Sequence, residues 1–409
     1  MKNDRPKILI WDLNINIKNS GGPAGYLYNW KEYLKNTNEY DNIYFLKDLL
    51  GLENRTETKH SKYKKQLDFV AKVDVLKIWP CINVYRNYRN WIGETTVDVI
   101  KNIDLNQFDI IHFHIAFHLT KAIPLLKNFK GKIVLTTHSP EPLSQECVAG
   151  VPPTYSFLKN YLRKKMEIIE LEAWKRADYM MFPVPSAIEP YCVSKIHKKY
   201  LLDNNDKLIY CPTSILNKEV TIDKNIFKEK CNIPDNAFII TYIGRHTEIK
   251  GYNQLLKLGE SILDKYQNVY FVIGGLCALG QGLNHPRWIE LGWINYGAQL
   301  IASSDLFILP NKETYFDIVA LEVLRCGTPM MMSNTGGNKY FQQLRKNDGL
   351  RFFDYGDIKA QIGIIDEMLN MHIAKRNIMR ESNIKLFESE FTMQSFFRRY
   401  ETLMLKLLF

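Results

Sequence analysis

Two cations, Arg245 and Lys250, follow the apolar run Phe238–Ile243 in the stretch Tyr242-Ile-Gly244-Arg245-His-Thr-Glu-Ile-Lys250-Gly251. Ligands of α/β domains bind just beyond the carboxyl ends of strands, and a guanidinium fork beside a point-charge ammonium suits a diphosphate. Alone, such cations are more often solvated loop residues. A second stretch gives them context. Asp305-Leu-Phe-Ile-Leu-Pro310 leads into the polar Asn311-Lys-Glu313-Thr314-Tyr315-Phe316-Asp317, then Ile-Val-Ala-Leu-Glu322, Gly327-Thr-Pro329 and finally Gly336-Gly337. Backbone amides at a glycine pair can approach phosphate, although such pairs are commonly only turns. No D-x-D pattern offers a metal site.

Other candidates lie earlier in the chain. Asp109-Ile-Ile-His112-Phe-His114 ends a strand-like run with two histidines that share one side of the strand. His118 is near in sequence, and His138 follows the next run in Thr136-Thr-His-Ser-Pro140. No carboxylate or cysteine completes a zinc set at a suggestive spacing, so hydrogen-bonded histidines are expected instead. Gly21-Gly22 precedes a helical pattern, where backbone amides at a helix start can face an anion or a sugar. Gly280-x-Gly282 has no glycine at position 285, so the dinucleotide fingerprint fails and a loop is expected.

The elements that would position these residues alternate between short apolar runs and helix-length segments. Strands are expected at Lys7–Leu13, Ile43–Leu46, Ile110–His114, Ile133–Thr137 and Tyr179–Val184. A second series is expected at Phe238–Ile243, Val269–Ile273, Leu306–Leu309, Pro329–Met332 and Leu350–Phe353. Each series implies a mainly parallel, doubly wound sheet with helices on both faces. The reading is an α/β protein of two Rossmann-like domains, residues 1–195 and 196–385, facing across a cleft. Residues 154–176 read as a long helix, and the chain beyond about 374 as continuous helix. Residues 386–409 are expected to cross back onto the first domain.

The stretch from Ser304 to Asn338, with the Gly244-Arg245…Lys250-Gly251 loop, resembles the donor site of glycosyltransferase family 4, whose members have the GT-B fold. The resemblance implies a retaining, bacterial polysaccharide-type hexosyltransferase that uses a nucleotide diphosphate sugar and no metal or other cofactor. It implies that Arg245 and Lys250 stabilise the leaving diphosphate, that Glu322 accepts hydrogen bonds from the donor ribose, and that Glu313 to Asp317 hold the sugar. His114 matches the family's catalytic histidine, Gly21-Gly22 its loop beside the diphosphate, and His138 falls on the acceptor side. Two departures stand out. Thr314 occupies the place of the first glutamate of the family's Glu-x7-Glu spacing, and Tyr315-Phe316-Asp317 replaces the usual Gly-Phe-Gly. The donor sugar is therefore open; UDP is the first base to test.

The net charge of +10 is uneven: residues 1–200 hold 30 Lys/Arg against 21 Asp/Glu. Such an excess fits phosphate-bearing partners, and the expected ones are a glycan or lipid-linked acceptor and an anionic membrane surface. No nucleic-acid reader motif accompanies the charge. The seven cysteines, Cys81, Cys147, Cys192, Cys211, Cys231, Cys277 and Cys326, form no C-x-x-C pair, so buried thiols rather than disulfides or zinc are expected. Without a signal-peptide pattern or a long apolar run, the expected location is the cytoplasm, at the inner face of the membrane. Two alternatives remain: a nucleotide-sugar epimerase of the same fold, and a non-catalytic partner or glycan-binding subunit.

Overall fold

The computed structural model describes residues 5–18, 22–37, 39–52, 78–92, 100, 102–220, 224–276, 282–344 and 347–409. Gly21, Gly280 and part of the cationic excess of residues 1–200, the stretch Lys59-His-Ser-Lys62-Tyr-Lys64-Lys65, lie outside these residues.

The chain divides into two compact units. The first comprises Met1–Phe182, Tyr191–Cys211 and Arg399–Phe409, the second Pro183–Pro190 and Pro212–Arg398. The first thus extends to Cys211 rather than to residue 195. Tyr200, on the Lys195–Asp203 helix, donates from its hydroxyl to the Trp174 carbonyl at 2.6 Å, and Leu208–Tyr210 extends the first sheet. That segment is fixed by packing that its Lys-rich sequence does not advertise.

In the first unit, β1 (Ile8–Trp11), β2 (Ile43–Phe45), β3 (Ile110–Phe113), β4 (Lys132–Thr136), β5 (Tyr179–Phe182) and β6 (Leu208–Tyr210) make a parallel sheet in the order β2-β1-β3-β4-β5-β6. In the second, β7 (Phe238–Ile243), β8 (Val269–Gly274), β9 (Trp288–Gly292), β10 (Leu306–Leu309), β11 (Met330–Ser333) and β12 (Leu350–Phe353) are parallel in the order β12-β11-β10-β7-β8-β9. β1, β3, β10 and β11 are buried at every position. Burial on both faces explains why they read as mainly apolar runs, broken only by His112 and Ser333, instead of alternating ones.

Strand order reverses between β1 and β3 in one sheet and between β7 and β10 in the other. These are the switch points where ligands of open α/β sheets bind. The loops that leave β7 and β10 hold the two motifs singled out from sequence.

The C-terminal segment is two helices, Ile373–Glu390 and Met393–Lys406, not one. The Ser395 amide donates to Thr392 Oγ1 at 3.2 Å and caps the second helix. The Ile215 amide donates to the Phe391 carbonyl at 3.1 Å, tying the break to the second unit. Among the described residues, no helix is long and apolar enough to cross a membrane.

Candidate functional site

The loop after β7 ends at Gly251, which has a left-handed backbone (φ +71°) and precedes the Tyr252–Lys265 helix. A Cβ there would overlap the Pro310 carbonyl. Glycine therefore serves two needs: a backbone conformation that other residues resist, and close approach to the loop after β10. The loops are laced together. Lys312 N donates to the Ile249 carbonyl at 2.9 Å, and Lys312 Nζ pairs with Glu248 at 2.6 Å.

Lys250 and Asp317 meet across this seam, with the ammonium donating to Asp317 Oδ1. Asn311 Nδ2 donates to the other carboxylate oxygen at 2.5 Å. Burial pushes the Asp317 carboxyl up, but the Lys250 charge and the hydrogen bonds onto the carboxylate hold it below the ordinary aspartate value. Arg245 is exposed, and no described side chain bonds its guanidinium. The two cations thus differ: one is neutralised by a carboxylate, the other is open to an incoming anion.

Asp317 is the residue before the Ile318–Cys326 helix, and Glu322 stands one turn into it. Burial raises the Glu322 carboxyl, against the opposing charge of Arg325. Glu313 is half-buried and is also raised by burial. Thr314 is fully buried, and its carbonyl accepts the Gly337 amide at 3.1 Å. Cβ atoms on Gly336 and Gly337 would overlap the carbonyl oxygens of Thr314 and Tyr315. The glycine pair therefore lets the 336–337 turn lie against the donor loop, and the Gly336 amide faces the Glu189 carboxylate at 3.3 Å. Tyr315 and Phe316 are buried, with Phe316 stacked on Phe341 at 5.4 Å between centroids. Phe316 thus packs the start of the Ile318–Cys326 helix.

In the first unit, β3 places His112 and His114 in a buried cluster. His114 Nδ1 lies 3.0 Å from His138 Nε2, so the segments after β3 and β4 meet there. His112 lies 2.8 Å from Tyr400 Oη and 2.7 Å from Thr136 Oγ1. Tyr26 and Trp30 enclose the cluster, Tyr26 at 4.7 Å from His138 and Trp30 at 5.8 Å from His114. Desolvation brings His112 and His138 down to about 3 and His114 well below the ordinary histidine value. At neutral pH these imidazoles are uncharged. His114 Nε2 is buried without a hydrogen-bond partner among the described residues. Gly22 begins the Gly22–Lys35 helix with φ +70°.

Sequence reasoning passed over Asp12, which follows β1 at that sheet's switch point. It is fully buried and raised to about 6 by desolvation, and one oxygen accepts the Lys47 amide at 2.9 Å. The only signal was a carboxylate inside the otherwise apolar end of the expected strand Lys7–Leu13, which in fact ends at Trp11. Asn311 was also missed, since an asparagine in a polar loop carries no mark of its later partner. Among the described residues, no group of three His, Cys, Asp or Glu side chains is placed to hold a metal, and six cysteines are free thiols.

Residues 223–386 match the family model for glycosyl transferases group 1, a region that contains both loops, Glu322 and the glycine pair. An uncharacterised glycosyltransferase of Methanocaldococcus jannaschii is 31% identical over 127 residues, covering 28% of this chain and 32% of that protein. A 41.2 kDa protein in the cps region of Klebsiella pneumoniae is 23% identical over 256 residues, covering 58% and 63%. The chain therefore spans from about a third to under two thirds of these relatives. Among solved structures, HepE of Anabaena, in complex with UDP, aligns with a TM-score of 0.59 at 14% identity over 97% of this chain and 99% of that one. At that identity the likeness is one of fold. The fold is the two-domain α/β fold of the GT-B glycosyltransferases, and the match to the group 1 model falls within the second unit.

Proposed function

We propose that the chain transfers a sugar from a nucleoside diphosphate sugar, with retention at the anomeric carbon and without a metal, to a glycan or lipid-linked acceptor. One observation carries this reading: the loops from β7 and β10, the strands flanking a switch point, are laced together and bring Lys250, Asp317 and the start of the Glu322 helix into one cluster, with exposed Arg245 on the same loop as Lys250. The group 1 match over the same residues supports it, and UDP in the HepE complex makes UDP the first donor base to test. The cps-region relative supports surface polysaccharide synthesis as the setting; the cytoplasmic side of the membrane is part of the proposal.

In this reading the bond between the anomeric carbon and the diphosphate oxygen breaks while the acceptor oxygen bonds the same face of that carbon. The acceptor proton passes to the departing phosphate oxygen. Negative charge grows on the diphosphate, and Arg245 meets it directly. Lys250 joins it by exchanging Asp317 for phosphate. Glu322 accepts the ribose hydroxyls, and residues 313 to 317 hold the sugar; the role of the Gly21-Gly22 loop beside the diphosphate rests on the family resemblance alone. His114, kept neutral by burial, donates to the transferred sugar, and His138 serves the acceptor side.

The Lys250–Asp317 pair and Thr314 also favour a second reading, a partner subunit that binds glycans without transfer. A thermal-shift screen with UDP, GDP, CDP and ADP sugars separates the two, followed by mass spectrometry of the products. A ligand at a hundredfold its dissociation constant stabilises a fold by about 2.7 kcal/mol. We expect one nucleotide to raise the midpoint, and Arg245→Ala and Glu322→Ala to abolish the shift. No stabilisation at millimolar nucleotide would overturn the donor site.

A further inference from the structure

The Ser156–Arg176 helix buries one side and turns an apolar, cationic side outward. Leu162 and Met166 join Cys81, Val84 and Trp91 of the Trp79–Ile92 helix in one apolar cluster. On the opposite side Phe157 is 86% exposed, Tyr161 52% and Ile168 55%, with Lys164 and Lys165 exposed between them. Spacings of four, seven, eight and eleven residues from Phe157 place these side chains on one stripe. Lys165 Nζ sits 5.8 Å above the Tyr161 ring.

Solvated helices usually mix both signs of charge on their outer face. Here Glu167 and Glu170 are buried, so the exposed charged side chains from Ser156 to Leu171 are cationic, and one exposed carboxylate, Glu172, follows at the C-terminal end of the stripe. The adjoining Trp79–Ile92 helix repeats the chemistry: Ile82, Tyr85, Arg86, Arg89 and Ile92 are exposed, and the helix contains no acidic residue. Two helices that share a buried cluster therefore present the same mixture of aromatic, aliphatic and cationic side chains.

We propose that this face of the first unit docks on an anionic lipid bilayer. A lipid surface meets both halves of the mixture: lipid phosphates receive the cations, while Phe157, Tyr161 and Ile168 enter the boundary between headgroups and acyl chains. An acidic protein surface would match the lysines but would leave that apolar stripe without a complement. The proposal is independent of the donor-site reading, because none of these residues belongs to the loops after β7 and β10.

The test is co-sedimentation of the full chain with vesicles of phosphatidylcholine alone and of phosphatidylcholine mixed with phosphatidylglycerol, at low and high salt. We expect pelleting only with the phosphatidylglycerol vesicles, weakened by salt. Replacing both Lys164 and Lys165 by Gln should reduce partitioning on the order of twentyfold, and Phe157→Ser with Tyr161→Ser at least tenfold. Circular dichroism and the nucleotide-induced thermal shift, read on the same variants, should match the parent chain. The proposal is overturned if the parent does not pellet with anionic vesicles at low salt, pellets equally with neutral ones, or partitions no better than folded variants. It is also overturned if gel filtration shows a dimer that Phe157→Ser dissolves, since a second copy would then cover the face.

Discussion

At the carboxyl ends of the central strands, the first unit gathers uncharged imidazoles and the second gathers ions. His112, His114 and His138 are enclosed by Tyr26, Trp30 and Tyr400, and burial keeps them neutral. Lys250 and Asp317 are also largely buried, yet Asp317 stays ionised because Lys250 and Asn311 hold it. Desolvation acts in both places, and the presence of an opposite charge decides its outcome. The first arrangement can donate and accept hydrogen bonds without attracting counter-ions. The second can exchange an internal partner for a charged ligand.

The comparison depends on the seam that brings the second cluster together, and the largest effect should come from opening it. Gly251→Ala would place a methyl group on the Pro310 carbonyl and force a side chain into the left-handed region. A loss of about 3 kcal/mol or more is expected. Urea unfolding of the variant should show a lowered midpoint for the second unit, with the transition of the first unchanged. An unchanged midpoint would mean that the two loops do not need their close approach.

A pH series tests the other side of the comparison. The folded values of His112 and His138 lie near 3, below the ordinary value of 6.5, so the unfolded chain binds more protons between these limits. Their contribution is complete above pH 6.5 and is lost as pH falls toward 3, with a slope of about 1.4 kcal/mol per pH unit for each histidine. Asp12 works in the opposite direction. Its folded value, raised to about 6 from 3.8, makes its contribution decline as pH rises through that window. Thermal unfolding from pH 7 to pH 4 should destabilise the first unit, and His138→Gln should flatten the curve. A slope unaffected by that substitution would place the acid sensitivity elsewhere.

Much of this arrangement could be read from sequence where burial on two faces writes a run of apolar residues, as in β1, β3, β7 and β10. The parallel, doubly wound character of both sheets came from the same grammar, whereas the strand order and its reversals came from the folded chain. β6 and β9 were not legible: most of their positions are only partly buried or exposed, so Leu208–Tyr210 and Trp288–Gly292 lack such a run. The helix break at Phe391-Thr392 escaped because the apolar spacing continues across it. Partnerships were hidden for a different reason. Lys250 and Asp317 are 67 positions apart, and His112 and Tyr400 are 288 apart. Residue types suggested chemistry in each case, but only the folded chain pairs them.

The smallest expected effect concerns that hidden pair and sharpens the distinction between the units. Asp317→Asn leaves the Lys250 ammonium without its counter-charge, and Lys250→Met leaves the carboxylate without its own. Each change should cost stability, and the double variant should recover part of the loss, giving a coupling of about 1–2 kcal/mol in urea unfolding. Nucleotide binding supplies the second readout. If Lys250 exchanges Asp317 for phosphate, Asp317→Asn removes the internal competitor and should tighten nucleoside diphosphate binding, whereas Lys250→Met should weaken it. Asp317→Asn that weakens binding as strongly as Lys250→Met would instead make the carboxylate a positioning residue, needed to aim the ammonium. In that case the second cluster, like the histidines of the first, would be a fixed arrangement and not an exchangeable one.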